Sequence, residues 1–128
     1  GSVEAIKTDL TTNIKANLSS EHYRAQKVIL NLFLLEHYKL VQVLQETFHP
    51  KTIVLFGSYA KGEDMEESDV DLLILTNHSG EKMNVEKYEK LLRRKITLHI
   101  LPSLDNSSNE FKNTVANGIV LWGYLKIL

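Results

Sequence analysis

Two aspartates at the start of a hydrophobic run constrain this chain more than any other feature. Asp69 and Asp71 open the run Asp69–Leu75, whose other side chains are all apolar. Aspartate is disfavoured in strands, and side chains two residues apart point to the same face of a strand. The pattern therefore predicts a strand with one face in a core and the other carrying two carboxylates, the oxygen ligands that a divalent cation prefers.

Ten residues separate a Gly-Ser turn from the first of these aspartates. The preceding run Thr52–Phe56 predicts a short buried strand, and Gly57 and Ser58 lead from it into a helical turn that Gly62 ends. The backbone N–H groups and the hydroxyl of such a turn are suited to binding phosphate oxygens. Oxygen ligands for a cation, close to groups that donate hydrogen bonds to a phosphate, predict a nucleotidyl-transfer site.

The whole motif, Phe-Gly-Ser-x-Ala-x-Gly-x5-Ser-Asp-x-Asp-Leu, resembles the signature of the minimal nucleotidyltransferases, small members of the polymerase-beta-like superfamily. The matching residues are Phe56, Gly57, Ser58, Ala60, Gly62, Ser68, Asp69, Asp71 and Leu72. The resemblance covers roughly residues 50–125. It implies an α+β fold in which a small mixed β-sheet has helices packed on one face, preceded by N-terminal helices.

The resemblance also implies roles for individual residues. Asp69 and Asp71 would be catalytic and would bind Mg²⁺ or Mn²⁺. Gly57 and Ser58 would hold the β and γ phosphates of ATP or another nucleoside triphosphate. Lys61, in the same turn, is a further candidate for phosphate binding, although a solvated lysine fits as well.

One departure from the family pattern bears on activity. Active relatives usually carry a third carboxylate on a later strand, and here that position falls on Thr97. His99, two residues on, would face the same way and could bind the metal, although imidazole is a poorer partner than carboxylate for magnesium. The loss of one carboxylate predicts weaker binding of a second cation. The sequence therefore leaves open whether the site catalyses transfer or only binds the nucleotide.

Composition excludes several classes of function. The 128 residues carry a net charge of −1, which gives no general reason to bind nucleic acid or an anionic membrane. There are no cysteines, so thiolate chemistry and disulfides are excluded. No apolar run is long enough to span a membrane, and the default expectation is a cytoplasmic protein.

The chain divides by pattern into an N-terminal helical segment, residues 1–48, and a nucleotidyltransferase domain, residues 49–128. Ile6, Leu10, Ile14 and Leu18 predict an amphipathic helix over residues 3–18. Residues 21–48 are apolar nearly all round and predict one long helix, or two joined near Glu36 and His37. Such a surface must be buried. It packs on the core, or it serves a helical protein partner or a second copy of the chain.

The remaining elements alternate along the sequence. Helices are predicted over residues 84–94 and 109–117, with Val85, Tyr88, Leu91 and Leu92 facing inward from the first of them. A strand is predicted over residues 96–101 and a short extended piece over residues 119–122. The acidic loop that holds Glu63, Asp64, Glu66 and Glu67 is expected to be solvated, and Tyr59 to pack inside.

These features leave different functions open. The first is an enzyme that transfers a nucleoside monophosphate, AMP from ATP, to a hydroxyl of a protein or a small molecule. The alternative is a nucleotide-binding or interaction module with little or no turnover, either antitoxin-like or the effector domain of a helix-turn-helix regulator. Thr97 favours the alternative, and the motif favours the enzyme.

Overall fold

A computed structural model describes residues 7, 10 and 21–125 of the chain. The helix predicted over residues 3–18 lies outside the described residues, apart from positions 7 and 10, which are helical. The helices are α1 (Glu21–His37), α2 (Leu40–Phe48), α3 (Ser58–Lys61), α4 (Glu86–Leu92) and α5 (Asn109–Ala116). The strands are β1 (Thr52–Phe56), β2 (Asp69–Leu75), β3 (Lys95–Leu101) and β4 (Ile119–Gly123).

The strands form one mixed sheet in the order β3-β2-β1-β4. β1 lies in the middle and pairs antiparallel with both β2 and β4. β2 and β3 are parallel, and α4 makes the crossover between them. All five residues of β1 are buried, as the unbroken apolar run predicted.

The two faces of the sheet are covered differently. On one face the side chains of Ile53, Leu72 and Ile74 pack against the first four helices, which contribute Leu35, Leu40, Leu44, Phe48, Tyr59, Tyr88 and Leu92. This agrees with the predicted arrangement of helices on one face. The fifth helix, α5, lies against the opposite face instead, where its Val115 joins Val54 and Leu73. Both aspartates point to this second, less covered face because they alternate with Val70 and Leu72.

The apolar N-terminal region forms two helices. The break falls at Tyr38 and Lys39, and Lys39 adopts a left-handed conformation with φ of 61°. α2 ends at Phe48, at the predicted bound, and is followed by His49 in another left-handed conformation and by Pro50. α2 is a core element, whereas α1 leaves Ile29 and Phe33 on the surface, 68% and 59% exposed.

The prediction for α4 was too long, and one of its inward positions was wrong. The helix starts at Glu86, whose N–H donates a local hydrogen bond to Oδ1 of Asn84. At the other end Arg93 takes a left-handed conformation and stops it. Tyr88 and Leu92 are buried, one helical turn apart, but Leu91 lies off that face and is 40% exposed.

No helix among residues 7, 10 and 21–125 is long and apolar enough to cross a membrane.

Candidate active site

The first and third residues of β2 carry the two carboxylates of the site. Asp69 and Asp71 are both half-buried, while Val70 and Leu72 between and after them are fully buried on the opposite face. A strand that starts with this alternation fixes its register, because a slip by one residue would bury both carboxylates. The structure thus brings the two aspartates to one face, as predicted.

Gly57 lies directly against the second carboxylate. β1 and β2 pair so that Phe56 is opposite Asp71, and the next residue, Gly57, turns into α3 with φ of 79°. A Cβ atom at this position would lie 2.7 Å from Oδ2 of Asp71. Two requirements therefore select glycine here: the left-handed φ and the space occupied by the carboxylate.

α3 carries the other two predicted phosphate ligands. Ser58 is its first residue and is half-buried, close to the turn, while Lys61 is its last residue and is exposed. The structure thus brings Gly57 next to Asp71, with Ser58 following it, and leaves Lys61 on the solvent side of the helix. Tyr59 and Ala60 between them point into the core.

β3 carries Thr97 and His99, the two residues that the sequence suggests for the third metal-ligand position. Asp71 is in register with Thr97. The Oγ1 hydroxyl of Thr97 donates to Oδ2 of Asp69 over 3.3 Å, and Nε2 of His99 lies 3.4 Å from Oδ1 of Asp71. Each aspartate is therefore contacted by one polar side chain of β3.

Two phenylalanine rings pack against the imidazole of His99 and form an aromatic cluster with it. Its ring centroid lies 5.1 Å from that of Phe56 and 5.7 Å from that of Phe111 on α5. The two phenylalanines contact each other edge to face. Helix α5 therefore helps to orient a side chain that touches Asp71.

The donor set suits a cation that receives further ligands from a substrate. In the part of the chain that the structure describes, no group of three or more His, Cys, Asp or Glu side chains is arranged to hold a metal ion. Magnesium is commonly bound by one or two carboxylates together with substrate phosphates. Asp69 and Asp71, beside the turn at Gly57, fit that mode.

The acidic loop before β2 contains a residue whose placement was predicted wrongly. Asp64 was expected in solvent, but its side chain has 0% exposure. Arg94 and Lys27 form ion pairs with it, at 3.0 and 3.4 Å, and Asn31 donates a hydrogen bond to it over 2.9 Å. A carboxylate with two cations and an amide donor is stable in the interior. Glu63, Glu66 and Glu67 are exposed, as expected.

Sequence reasoning missed this cluster, although one signal for it was present. Asn31 interrupts the otherwise apolar run 28–35, and a polar residue there calls for a buried partner. Nothing in the sequence indicates that the partner is Asp64, which is 33 residues away. At the entry to β2 the hydroxyl of Ser68 accepts a hydrogen bond from the N–H of Met65.

Burial also perturbs two tyrosines beside the cluster. Burial raises the pKa of Tyr59 strongly, and the negative charge of Asp64 adds to the effect. The pKa of Tyr23 is raised for the same two reasons. The Tyr59 hydroxyl is buried without a hydrogen-bond partner among the described residues, so both tyrosines contribute as neutral, packed rings.

A mixed sheet in which a glycine turn lies beside paired carboxylates is the arrangement expected of a nucleotidyltransferase. The family comparison agrees: residues 38–124 match the family described as "Polymerase beta, Nucleotidyltransferase". The chain belongs to this family.

Relatives and a solved structure point in the same direction. Methanocaldococcus jannaschii has three similar proteins, each named as a predicted protein adenylyltransferase. One of them, MJ1379, is 35% identical over 71 residues, which cover 51% of this chain and 71% of the relative. The second, MJ0128, is 46% identical over 26% of this chain and 34% of its own length, and the third, MJ1215, is 48% identical over 24% and 36%.

A chain in the structure "Crystal structure of the toxin-antitoxin with AMP-PNP" has the same fold. The similarity covers 68% of this chain and 73% of that one, with a TM-score of 0.50 and 26% identity. The predicted fold class, a mixed α+β nucleotidyltransferase, is confirmed.

Proposed function

We propose that this protein transfers AMP from ATP to a hydroxyl group of a protein or a small molecule, with Mg²⁺ or Mn²⁺ bound by Asp69 and Asp71. The observation that carries the proposal is the contact between the turn of residues 57–62, here called the phosphate-side turn, and strand β2, where Gly57 leaves room for Asp71. The names of the relatives and the AMP-PNP in the similar structure support adenylyl transfer.

The reaction exchanges one P–O bond for another. The acceptor oxygen attacks the α phosphorus of ATP, the bond to the bridging oxygen of the β phosphate breaks, pyrophosphate leaves, and the acceptor proton passes to solvent. A divalent cation, when bound, offsets the negative charge that develops on the phosphate oxygens. Gly57 and Ser58 bind the β and γ phosphates, and Lys61 reaches them from the exposed end of α3.

In this proposal both Asp69 and Asp71 are ligands of the cation. Both orient their oxygens through contacts from β3, since Thr97 donates to Asp69 and His99 approaches Asp71. We assign His99 as a third, weaker metal ligand or as the residue that orients Asp71. The aromatic cluster of Phe56 and Phe111 restricts its ring to that side of the strand.

A second candidate function is nucleotide binding with little turnover, and Thr97 favours it. Thr97 stands in register with Asp71 at the position where a third carboxylate is expected, and its hydroxyl is a neutral ligand. Such a site would keep ATP and one cation but would bind a second cation weakly. A protein partner fits both functions, supported by the toxin–antitoxin assembly of the similar structure. The exposed Ile29 and Phe33 of α1 would receive a helical partner.

The test begins with calorimetric titration of ATP into the purified protein, in Mg²⁺ and then in EDTA. We expect binding that requires the metal and that is lost in Asp69→Asn and Asp71→Asn, while thermal unfolding stays cooperative. Glu63→Gln is the matched control, because it removes one negative charge from an exposed position nearby.

Transfer is tested separately with ATP labelled on its α phosphate. Label on a protein or small-molecule hydroxyl, with pyrophosphate released, supports the enzyme. Metal-dependent binding without label transfer supports the second candidate. If the folded double variant Asp69→Asn and Asp71→Asn binds Mg-ATP as tightly as the native chain, the site assignment is wrong.

A further inference from the structure

Asp64, a buried carboxylate outside the proposed site, connects three segments that shape it. It lies in the loop between α3 and β2, and its side chain has 0% exposure. Its partners come from α1, which supplies Lys27 and Asn31, and from Arg94, just before β3. No step of the proposed reaction uses any of these residues.

The hydrogen bonds of the cluster are specific in geometry. Nε and Nη2 of Arg94 both donate to Oδ2 of Asp64, over 3.2 and 3.0 Å, and Nζ of Lys27 lies 3.4 Å from the same oxygen. The amide of Asn31 donates to Oδ1 of Asp64 over 2.9 Å and also to the carbonyl oxygen of Tyr59 over 3.0 Å. The amide has two N–H groups, so it can serve both acceptors.

These bonds reach the backbone on both sides of the site. Tyr59 follows Ser58 in the phosphate-side turn, so Asn31 holds that turn by its main chain. Arg94 precedes Lys95, which is in register with Asp69. Asp64 therefore joins the turn to the start of β3, the strand that carries Thr97 and His99.

Helix α1 lies close to the same turn at a second point. Gly62, which ends α3 with φ of 70°, packs against the carbonyl oxygen of Arg24 and the side chain of Val28. Any larger residue at this position would push α1 and the turn apart. The contacts of Asn31 and Gly62 fix α3 against α1 at both of its ends.

Stability alone gives no reason for this choice of residues. A buried ion cluster replaced by apolar side chains of similar volume commonly leaves a protein as stable as before, or more so. What charged and hydrogen-bonded partners add is a defined distance and orientation between the segments they join. That property matters most where a site is assembled from several segments.

We propose that Asp64 is a positioning residue for the nucleotide site: through Asn31 and Arg94 it fixes the phosphate-side turn relative to the start of β3, which makes helix α1 part of the catalytic unit. The proposal rests on the proposed function for its consequence, weaker nucleotide binding. Its structural content, the fixed turn, has a test of its own.

The first experiment compares Asp64→Asn with Glu63→Gln. Both remove one negative charge from the same loop, but only the first lies in the cluster. Affinity for Mg²⁺ with AMP-PNP is measured by calorimetry at a temperature where circular dichroism shows both variants fully folded. We expect Asp64→Asn to bind about tenfold more weakly, since small displacements of binding groups have effects of this order. Equal affinity of the folded variants overturns the proposal.

Coupling between partners provides the rescue. Arg94→Gln in the Asp64→Asn background removes the cation that lost its counter-charge, so the double variant is expected to bind better than the product of the two single effects predicts. Strictly additive effects on affinity contradict the proposed connection. Should Asp64→Asn fail to fold, Arg94→Lys keeps the charge but loses one of the paired donors. We expect it to bind about threefold more weakly, and native affinity in Arg94→Lys counts against the proposal.

Amide hydrogen exchange separates this proposal from the proposed function. We expect exchange at residues 57–62 and at the start of β3 to accelerate in Asp64→Asn about tenfold or more beyond the acceleration that the loss of global stability causes in β1. If the native chain binds no nucleotide, the proposed function is wrong. The hydrogen-exchange measurement then still tests whether Asp64 fixes the turn. Exchange at residues 57–62 that accelerates no more than exchange in β1 refutes the positioning role.

Discussion

Asp64 and Asp71 are the same residue type in neighbouring segments, yet their surroundings are opposite. Asp64 is fully enclosed, and its carboxylate receives donors from Asn31, Arg94 and Lys27. Asp71 is half-exposed, with His99 at 3.4 Å as its side-chain contact and the bare Cα of Gly57 beside it. One carboxylate has its hydrogen-bonding capacity filled by the protein, whereas the other keeps it available.

The difference shows how a small domain separates an acid that holds segments together from an acid that stays available to a ligand. A buried charge must be paired, and the pairing fixes the segments that supply the partners. A carboxylate that binds a cation must instead keep free oxygen lone pairs, which brings repulsion from its neighbour and little stability. The two environments therefore predict opposite responses to the same substitution.

The largest expected contrast is in stability. Asp64→Asn should lower the free energy of unfolding by about 3 kcal/mol, because it leaves Arg94 and Lys27 without a counter-charge in the interior. Asp71→Asn should change it by less than about 1 kcal/mol, because its contact with His99 is half-exposed. Urea unfolding in EDTA measures both. Equal losses in the two variants would remove the distinction between the acids.

Gly57→Ala is expected to have the next largest effect. The added Cβ would overlap Oδ2 of Asp71, and alanine would be strained at the left-handed φ of this position. Stability should therefore fall by about 1–2 kcal/mol. Metal-dependent ATP affinity should fall more than tenfold, as the aspartate rotates away. Calorimetry and thermal unfolding measure the two effects. The control is Gly80→Ala, where a Cβ meets no atom within 4 Å, and it should match the native chain.

Thr97→Asp sharpens the comparison by adding a third acid to the exposed pair. In EDTA the extra charge should lower stability by about 1 kcal/mol through repulsion of Asp69 and Asp71. In Mg²⁺ we expect ATP to bind up to about tenfold more tightly, because the added oxygen completes the metal ligands. Thr97→Asn is the uncharged control. A variant with native magnesium dependence would show that position 97 lies outside the metal site.

Tyr59→Phe is the smallest change and tests the buried side. The hydroxyl has no partner among the described residues, so at pH 7 its removal should alter stability by less than about 1 kcal/mol. Burial raises the pKa of Tyr59, so the native chain should lose stability as the pH rises above about 10, where the unfolded chain ionises. Tyr59→Phe should lose less over that range. Tyr124→Phe, at an exposed position, should follow the native curve.

Most of the sheet, and the positions that the candidate site residues take on it, could be predicted because short-range patterns encode them. The strands β1 and β2 were predicted with the observed bounds, since each is a continuous run with a clear start. The pairing of Phe56 with Asp71 needs only the antiparallel return after a short helix, and it is enough to bring Gly57 to the carboxylate. The helix bounds were less accurate, because they depend on local details such as the hydrogen bond from Glu86 to the Asn84 side chain and the left-handed conformation of Arg93.

What could not be predicted depends on contacts between distant segments. The burial of Asp64 requires Asn31 and Arg94, which are 33 and 30 residues away in sequence. Its neighbours Glu63 and Glu66 have the same acidic pattern and are solvated. The location of α5 on the second face likewise depends on Val115 meeting Val54 and Leu73.

The sheet order has a consequence for how the chain folds as it is synthesised. β1 pairs with β2 through a short connection, but its other edge pairs with β4, which is made much later in the chain. Ile53, for example, pairs with Trp122. Until residues 119–123 have left the ribosome, the strand Thr52–Phe56 exposes an unpaired apolar edge of the kind that promotes association between chains. Completion of the sheet by β4 is therefore a late event of folding, whereas the pairing of β1 with β2 that brings Gly57 to Asp71 can form before it.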